Sequence, residues 1–234
     1  MAYISMFIVA LLGAVLIYLR GYLEKWIKPA LAFSGAYLLA ICLLHLIPEL
    51  FENNLDHHKL GIFILLGFFL QLVLDYFSGG IEHGHTHIDQ NQLGKFPFLV
   101  FLSLCLHALL EALPLNHLNP SSEIGSYLAG LLMHKIPISF ILVSVFMAYK
   151  IPKVKIIAAV IIFATMAPIG IQLGDIIGHE SAFFQPLIAL SIGIILHLST
   201  TILLESNENH SIQLKKFLPL IIGFLLALLS EGLH

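Results

Sequence analysis

Eight apolar stretches take up most of this 234-residue sequence. A helix needs about 20 mainly apolar residues to cross the hydrocarbon core of a bilayer. The stretches run approximately over Tyr3–Tyr18, Ala30–Leu50, Leu60–Phe77, Phe96–Leu115, Gly125–Ala148, Val154–Ile177, Ala182–Leu204 and Phe217–Leu229. We therefore predict an all-α polytopic membrane protein with eight transmembrane helices, numbered below as the first to the eighth span.

The composition excludes an ordinary soluble domain. Hydrophobic residues make up 59% of the chain and charged residues 11%, whereas a soluble domain carries about 25% charged residues. The connections between the spans are short, so we expect one transmembrane domain over residues 1–234 rather than two domains. We expect membrane lipid to cover most of its surface, and we expect no nucleic-acid partner.

Basic residues are distributed unevenly between alternate connections. Nine of the eleven lie on one side: Arg20, Lys25, Lys28, Lys95, Lys150, Lys153, Lys155, Lys215 and Lys216. The opposite side holds Lys59, and Lys135 lies inside the fifth span. Because cytoplasmic loops carry the excess of Lys and Arg, both termini are predicted to lie outside the cytoplasm. Residues 78–95 are then a cytoplasmic loop, and the expected location is the plasma (inner) membrane.

Four of the thirteen histidines fall inside apolar spans. They are His45, His107, His134 and His197, in the second, fourth, fifth and seventh spans. Ionisable side chains inside a bilayer are costly, and they commonly mark the route of an ion or a proton. We therefore expect spans two, four, five and seven to form an inner bundle around a pathway, with the other spans facing lipid.

His107 and Glu111 form the most informative pair in the sequence. They are four residues apart in the fourth span, so they share one helix face. An imidazole and a carboxylate placed in this way can hold one metal ion, and His134 in the fifth span supplies a third ligand. Two histidines and one carboxylate suit zinc better than magnesium or calcium, which prefer oxygen ligands.

Prolines accompany these ligands. Pro114 follows Glu111, and Pro137 follows His134. A proline removes one helix hydrogen bond and frees the carbonyl group one turn earlier. The freed carbonyls either complete a cation site or accompany a packing kink without a ligand role, and the sequence leaves both interpretations open.

Two further sets of candidate ligands lie in spans. His45 and Glu49 repeat the four-residue spacing near the end of the second span, where they form either a relay metal site or an interfacial pair. His197 stands alone in the seventh span, so it is either a further ligand or a histidine bonded to a neighbouring carbonyl group.

The loop 78–95 contains a cluster of candidate ligands. Its members are Glu82, His83, His85 and His87. Alternating histidines on a flexible chain that contains glycine can wrap around a metal ion. The functional interpretation is a receiving or sensing site for metal that leaves the pathway, and the alternative is a solvated loop with incidental affinity.

At these residues the chain resembles the ZIP (Zrt/Irt-like) family of divalent metal transporters. The family carries the motif His-Asn-x-Pro-Glu-Gly in its fourth and fifth spans. Here the fourth span reads His107-Ala-Leu-Leu-Glu-Ala, and the fifth reads His134-Lys-Ile-Pro-Ile-Ser. The second span ends His45-Leu-Ile-Pro-Glu, which is similar to the family's His-x-x-Pro-Glu ending. The resemblance covers nearly the whole chain, including the eight spans and the histidine-bearing loop after the third.

The departures from the family pattern concern the second of the family's two metal sites. Ala108 stands in place of the motif's Asn, Ile138 in place of the fifth-span Glu, and Ala167 in the acidic position of the sixth span. The resemblance thus implies that the second site is lost. One hypothesis is that Lys135, at a ligand position, supplies the charge of the missing cation and pairs with Glu111. The alternative is that Lys135 extends to the membrane interface.

The resemblance implies transport of a divalent metal ion into the cytoplasm. The ligand types favour zinc, and the choice among Zn²⁺, Cd²⁺, Fe²⁺ and Mn²⁺ stays open. A site this deep in the membrane cannot face both sides at once, so alternating access is required. The resemblance implies that spans one, four, five and six move against the rest, commonly in a homodimer.

Two rival functions remain. An intramembrane zinc hydrolase would need a general base, as in His-Glu-x-x-His, and that motif is absent, so we expect no enzyme. The other rival is a membrane metal sensor or binding protein without transport.

Overall fold

The computed structural model describes residues 1–52, 56–81, 93–115, 123–178, 183–205 and 214–232, and these residues contain helices but no strand. The α-helices are α1 (Ala2–Val15), α2 (Arg20–Ile41), α3 (Ile47–Glu52), α4 (His57–Ser78), α5 (Phe98–Leu110), α6 (Glu123–Ala148), α7 (Lys153–Ile177), α8 (Phe184–Glu205) and α9 (Leu214–Gly232). A 3₁₀ turn over Leu16–Leu19 joins α1 to α2, and a π turn over Cys42–Leu46 joins α2 to α3.

The eight predicted spans correspond to eight apolar helical segments. Five are long and apolar enough to cross a membrane: Lys25–Glu52, His57–Ser78, Gly125–Ala148, Lys153–Ile177 and Phe184–Leu204. Three are shorter: Ala2–Val15, Phe98–Leu110 and Phe217–Leu229. The prediction of an all-α polytopic membrane protein is therefore confirmed.

The second span contains a local change of helical pitch. The Ile47 N–H donates to the Cys42 carbonyl, five residues back, where an α-helix would use a group four residues back. Pro48 follows at once, and its ring would clash with the carbonyl of Leu44 in a regular α-helix. The wider π turn accommodates this proline, and it contains His45.

Burial separates inner helices from outer ones. In the apolar part of each span, the buried share of residues is 61% in the second span, 72% in the fifth and 61% in the seventh. The corresponding share is 22% in the third span and 39% in the sixth. On α4 the exposed side chains include Leu65 and Phe69, which suit contact with lipid. The shorter α5 contributes the buried residues His107 and Ala108. This pattern agrees with the predicted inner bundle of spans two, four, five and seven.

The helices pack as two groups. In the first group, α1 contacts α6 and α7, and α7 also contacts α5 and α6. In the second group, α8 contacts α2 and α4, and α2 also contacts α9. The groups meet where α6 lies against α2, and where α5 lies against α4 and α8. The first group consists of spans one, four, five and six, and the second contains the remaining spans.

Glycines bring helix backbones close together within each group. A Cβ atom on Gly67 of α4 would lie 1.9 Å from the carbonyl oxygen of Leu190 on α8. In the first group, a Cβ atom on Gly170 of α7 would lie 2.1 Å from the carbonyl oxygen of Leu109 on α5. No side chain fits at such distances, so these glycines are required for the close packing of the helices.

The boundary between the groups has a different character at α2 and α6. A Cβ atom added to Gly130 of α6 would lie 2.7 and 3.0 Å from side-chain atoms of Leu38 and Tyr37 on α2. Side chains rather than backbone therefore form this contact. Such a surface can slide with smaller rearrangement than two interlocked backbones, because side chains change rotamer.

Two tertiary contacts show which parts of the chain lie at which end of the bundle. The Gly94 N–H donates to the carbonyl of Tyr149 at 2.7 Å, so the connection before α5 lies beside the turn that carries Lys150. At the other end of α7, the Tyr3 hydroxyl donates to the carboxylate of Asp175. The start of α1 is thus at the end of the bundle opposite these lysine-bearing turns.

Candidate metal centre

Three predicted ligands meet in the interior of the bundle. His107 and Glu111 come from α5 and its C-terminal end, and His134 comes from α6. One ligand atom of each lies within 4.8 Å of the others, and each residue is at most 2% exposed. Among the described residues, these three side chains form a group that is close enough to hold one metal ion.

The spacing of these atoms suits a tetrahedral ion. His107 Nε2 and Glu111 Oε2 are 3.1 Å apart. Bonds of about 2.0–2.1 Å to a tetrahedral zinc ion separate neighbouring ligand atoms by about 3.3 Å. A small movement of the third ligand, His134, would therefore complete a three-ligand zinc site.

The end of α5 is held by hydroxyl groups. Pro114 leaves the carbonyl of Leu110 without its helical hydrogen bond, and Ser191 Oγ on α8 lies 2.8 Å from that oxygen. The hydroxyl of Tyr127 on α6 donates to the carbonyl of Glu111. These contacts favour the packing interpretation of Pro114 over the interpretation in which a freed carbonyl binds the cation.

Lys135 lies inside the protein beside the carboxylate. Its Nζ atom is 3.1 Å from Glu111 Oε1 and 5.0 Å from the centroid of the Phe163 ring, and the residue is 2% exposed. The ring face attracts the ammonium group, and the carboxylate pairs with it. This placement contradicts the interpretation in which Lys135 extends to the interface, and it provides the contact that the charge hypothesis requires.

Apolar side chains occupy the positions where the motif resemblance would place further ligands. Ile138 follows Lys135 by three residues on α6, and Ala167 follows Phe163 by four residues on α7, so each lies one turn further along the same helix face. Ile138 is 2% exposed, and Ala167 and Ala108 are 0% and 1% exposed. A second divalent ion beside Lys135 would thus lack these ligands.

Two buried side chains that sequence reasoning missed contact the histidine rings. Gln71 Oε1 of α4 is 3.1 Å from His107 Nδ1, and Ser34 Oγ of α2 is 3.3 Å from His134 Nδ1. Both residues are fully buried. A carboxamide in the middle of the apolar third span was a visible signal for Gln71, whereas Ser34 is one of several small polar residues in spans.

The other candidate ligands lie apart from this centre or outside the described ranges. His45 and Glu49 are half-buried on the π turn and α3. His197 is buried with its ring edge-on to Phe68, at a centroid distance of 4.8 Å. The loop residues Glu82, His83, His85 and His87 are outside the part of the chain that the structure describes. Metal binding at all these positions stays a prediction.

Comparison with known proteins agrees with the motifs. Residues 82–231 match the family model described as ZIP Zinc transporter. The chain belongs to the ZIP family. It is 26% identical to Zinc transporter ZIP1 of Danio rerio over an alignment of 242 positions that covers 82% of this chain and 80% of that protein. It is 29% identical to Zinc transporter ZIP1 of Takifugu rubripes over an alignment of 147 positions that covers 60% of this chain and 49% of that protein.

Family membership decides between two of the function classes. The match to the family model confirms the resemblance inferred from the motifs. Because ZIP proteins are transporters and not enzymes, the intramembrane hydrolase is set aside. The chain is an integral membrane protein of a metal ion transport family. Its ligands His107, Glu111 and His134 all lie within the matched residues.

Proposed function

We propose that this ZIP family member carries zinc into the cytoplasm through one intramembrane site formed by His107, Glu111 and His134. The observation that supports this most directly is the convergence of the three buried ligands within 4.8 Å. Two imidazoles and one carboxylate form a common zinc ligand set, with a fourth position for water or an exchanging ligand. Cd²⁺, Fe²⁺ and Mn²⁺ are further candidate substrates, because ligand type alone does not separate these ions strongly.

Alternating access is the transport mechanism that we propose. A site buried at this depth must open to one side at a time. All three ligands belong to the first helix group, and the second group covers them through α2 and α4. Movement of one group along the other would carry the ligands as a unit, and the side-chain contact at Gly130 is compatible with such sliding.

The proposed direction follows from the lysine-rich connections. If their end of the bundle faces the cytoplasm, both termini face outward, and the setting is the plasma (inner) membrane. His45 and Glu49 then form a relay towards the outer face, and the loop with Glu82, His83, His85 and His87 receives the ion inside. A homodimer surrounded by lipid is the proposed assembly.

Lys135 is the proposed substitute for a second cation. With both histidines neutral, Glu111 and Lys135 have no net charge together before metal binds. A buried carboxylate without a partner would be strongly destabilising, so the ammonium keeps the ion-free site stable in the membrane. The cost is that this positive charge opposes the incoming ion.

Zinc uptake by proteoliposomes tests the proposed function. Purified protein reconstituted with a zinc indicator inside the vesicles should give uptake that saturates with external zinc. The rival function, a metal sensor or binding protein without transport, predicts zinc binding by the purified protein but no uptake above that of protein-free vesicles. Competition by cadmium, iron and manganese in the same assay would rank the substrates.

A further inference from the structure

The two histidine ligands are each held by a side chain from the opposite helix group. His107 and His134 belong to the first group through α5 and α6. Gln71 and Ser34 belong to the second group through α4 and α2. The contacts at 3.1 and 3.3 Å therefore cross the boundary along which the two groups meet.

The chemistry of Gln71 fixes the orientation of the His107 ring. An amide oxygen accepts hydrogen bonds and cannot donate them, so the Oε1 atom of Gln71 requires a hydrogen on Nδ1 of His107. When a metal ion is bound, the neutral ring then offers its lone pair from Nε2, the atom that lies 3.1 Å from Glu111 Oε2.

Ser34 acts on His134 in the same way. Its hydroxyl lies 3.1 Å from the carbonyl oxygen of Leu31 and donates its one hydrogen there. The hydroxyl oxygen then accepts from Nδ1 of His134, which again leaves the Nε2 lone pair for the metal. Such outer partners orient metal-binding imidazoles and raise their basicity.

We propose that Gln71 and Ser34 are positioning residues of the metal site, and that they couple its metal affinity to the relative position of the two helix groups. In the arrangement described here, each ring has its Nδ1 atom in contact with a side chain of the second group, which leaves Nε2 for the metal. When the first group slides, the hydrogen bonds from the two histidine rings to Gln71 and Ser34 break, the rings lose their fixed orientation, and the ion dissociates more easily. The coupling to release rests on the proposed function, whereas the positioning of the rings does not.

Equilibrium zinc binding by the purified full-length protein tests the positioning. Gln71→Leu is close in size but removes the acceptor, and Gln71→Glu keeps an acceptor oxygen at the same length. Loss of an outer partner of a metal-binding histidine costs about 10–100-fold in affinity. We expect Gln71→Leu to raise the zinc Kd by about tenfold or more, and Gln71→Glu to keep it at or below the parent value. Equal Kd values for all three proteins, or equal losses in both variants, would overturn the role of Gln71.

Ser34→Ala tests the second histidine and stays informative if the Gln71 variants do not fold. We expect it to weaken zinc binding several-fold. Ser103→Ala is the matched control, because Ser103 is also buried and its hydroxyl bonds Leu99 of its own helix at 2.8 Å. If Ser34→Ala leaves the Kd unchanged, or if Ser103→Ala weakens it equally, Ser34 does not position His134.

The kinetics of uptake test the coupling. We expect Gln71→Leu to raise the KM for zinc while the maximal rate stays at or above that of the parent, because one bond that resists sliding is gone. An unchanged KM with a lower maximal rate would overturn the coupling. If the parent binds zinc but carries none into vesicles, the proposed transport fails, and the comparison of Kd values still decides the positioning of the rings.

Discussion

At the residue scale, the contact between Lys135 and Glu111 is the most consequential departure from the family motif. The two charged atoms are 3.1 Å apart, and neither side chain is more than 3% exposed. Removing one partner of a buried ion pair costs about 3–5 kcal/mol, because the other charge is left without compensation. The pair therefore makes the ion-free site tolerable inside the membrane.

Replacement of Lys135 tests this role of the ion pair. In Lys135→Ala, Glu111 lacks a counter-charge until zinc binds, so the ion-free protein should lose about 3–5 kcal/mol of stability. Zinc should bind more tightly, because no fixed cation opposes it, and should stabilise the variant more than the parent. Thermal unfolding in detergent with and without zinc measures both effects.

Lys135→Arg is the control for that experiment, since it keeps the positive charge and should unfold near the parent temperature without zinc. The charge hypothesis is contradicted if Lys135→Ala leaves the zinc affinity, the uptake rate and the ion-free stability unchanged.

The sequence predicted the ligands better than their surroundings. His107 and Glu111 could be paired because a four-residue spacing fixes two side chains on one helix face. Lys135 remained ambiguous, since it is one residue from His134 and thus about 100° around the helix, and only the packing shows where its long side chain ends. Gln71 was missed because its contact with His107 depends on how α4 packs against α5.

At the element scale, the spans themselves were predictable because the bilayer sets their length and apolarity. The π turn over Cys42–Leu46 was not, although Pro48 marks a point where a regular helix cannot continue. The pairing of helices into two groups also needed the structure. The resemblance implied the same division. Hydropathy alone does not indicate which helices contact each other.

The close backbone packing between α4 and α8 can be tested by replacing glycines of α4 with alanine. Gly67→Ala places a Cβ atom 1.9 Å from the carbonyl oxygen of Leu190, so the two helices must separate. Overpacking of this kind typically costs about 1–3 kcal/mol. The thermal unfolding temperature should fall accordingly.

Gly61→Ala is the matched control on α4, because nothing lies within 4 Å of its added Cβ atom. Alanine favours the helix by about 0.5–1 kcal/mol over glycine, so this variant should be as stable as the parent or slightly more stable. Equal unfolding temperatures for the two variants would contradict the close packing of α4 with α8.

At the scale of the whole molecule, the proposed direction of transport depends on orientation. Lys59 and Lys153 are exposed lysines in the first turn of α4 and of α7, and the proposed topology places them on opposite sides of the membrane. Cys42 and Cys105 are buried, so they should not react with a thiol reagent in the folded protein.

Single cysteines at these two lysines test the topology. In right-side-out vesicles, a membrane-impermeant maleimide should label Lys59→Cys, and should label Lys153→Cys only after permeabilisation. The positive-inside distribution is the physical reason, since the lysine-rich side stays in the cytoplasm. The reverse labelling pattern would contradict the proposed orientation and, with it, the proposed direction of transport.

The metal centre itself can be tested with one measurement of zinc flux. The measurement is the initial rate of zinc uptake into proteoliposomes that contain the parent, His107→Ala or Cys105→Ala. Cys105 is the control, because it is buried on the same helix but lies outside the group of His107, Glu111 and His134. We predict loss of most uptake in His107→Ala and a rate near that of the parent in Cys105→Ala. Uptake by His107→Ala at the parent rate would contradict transport through this centre.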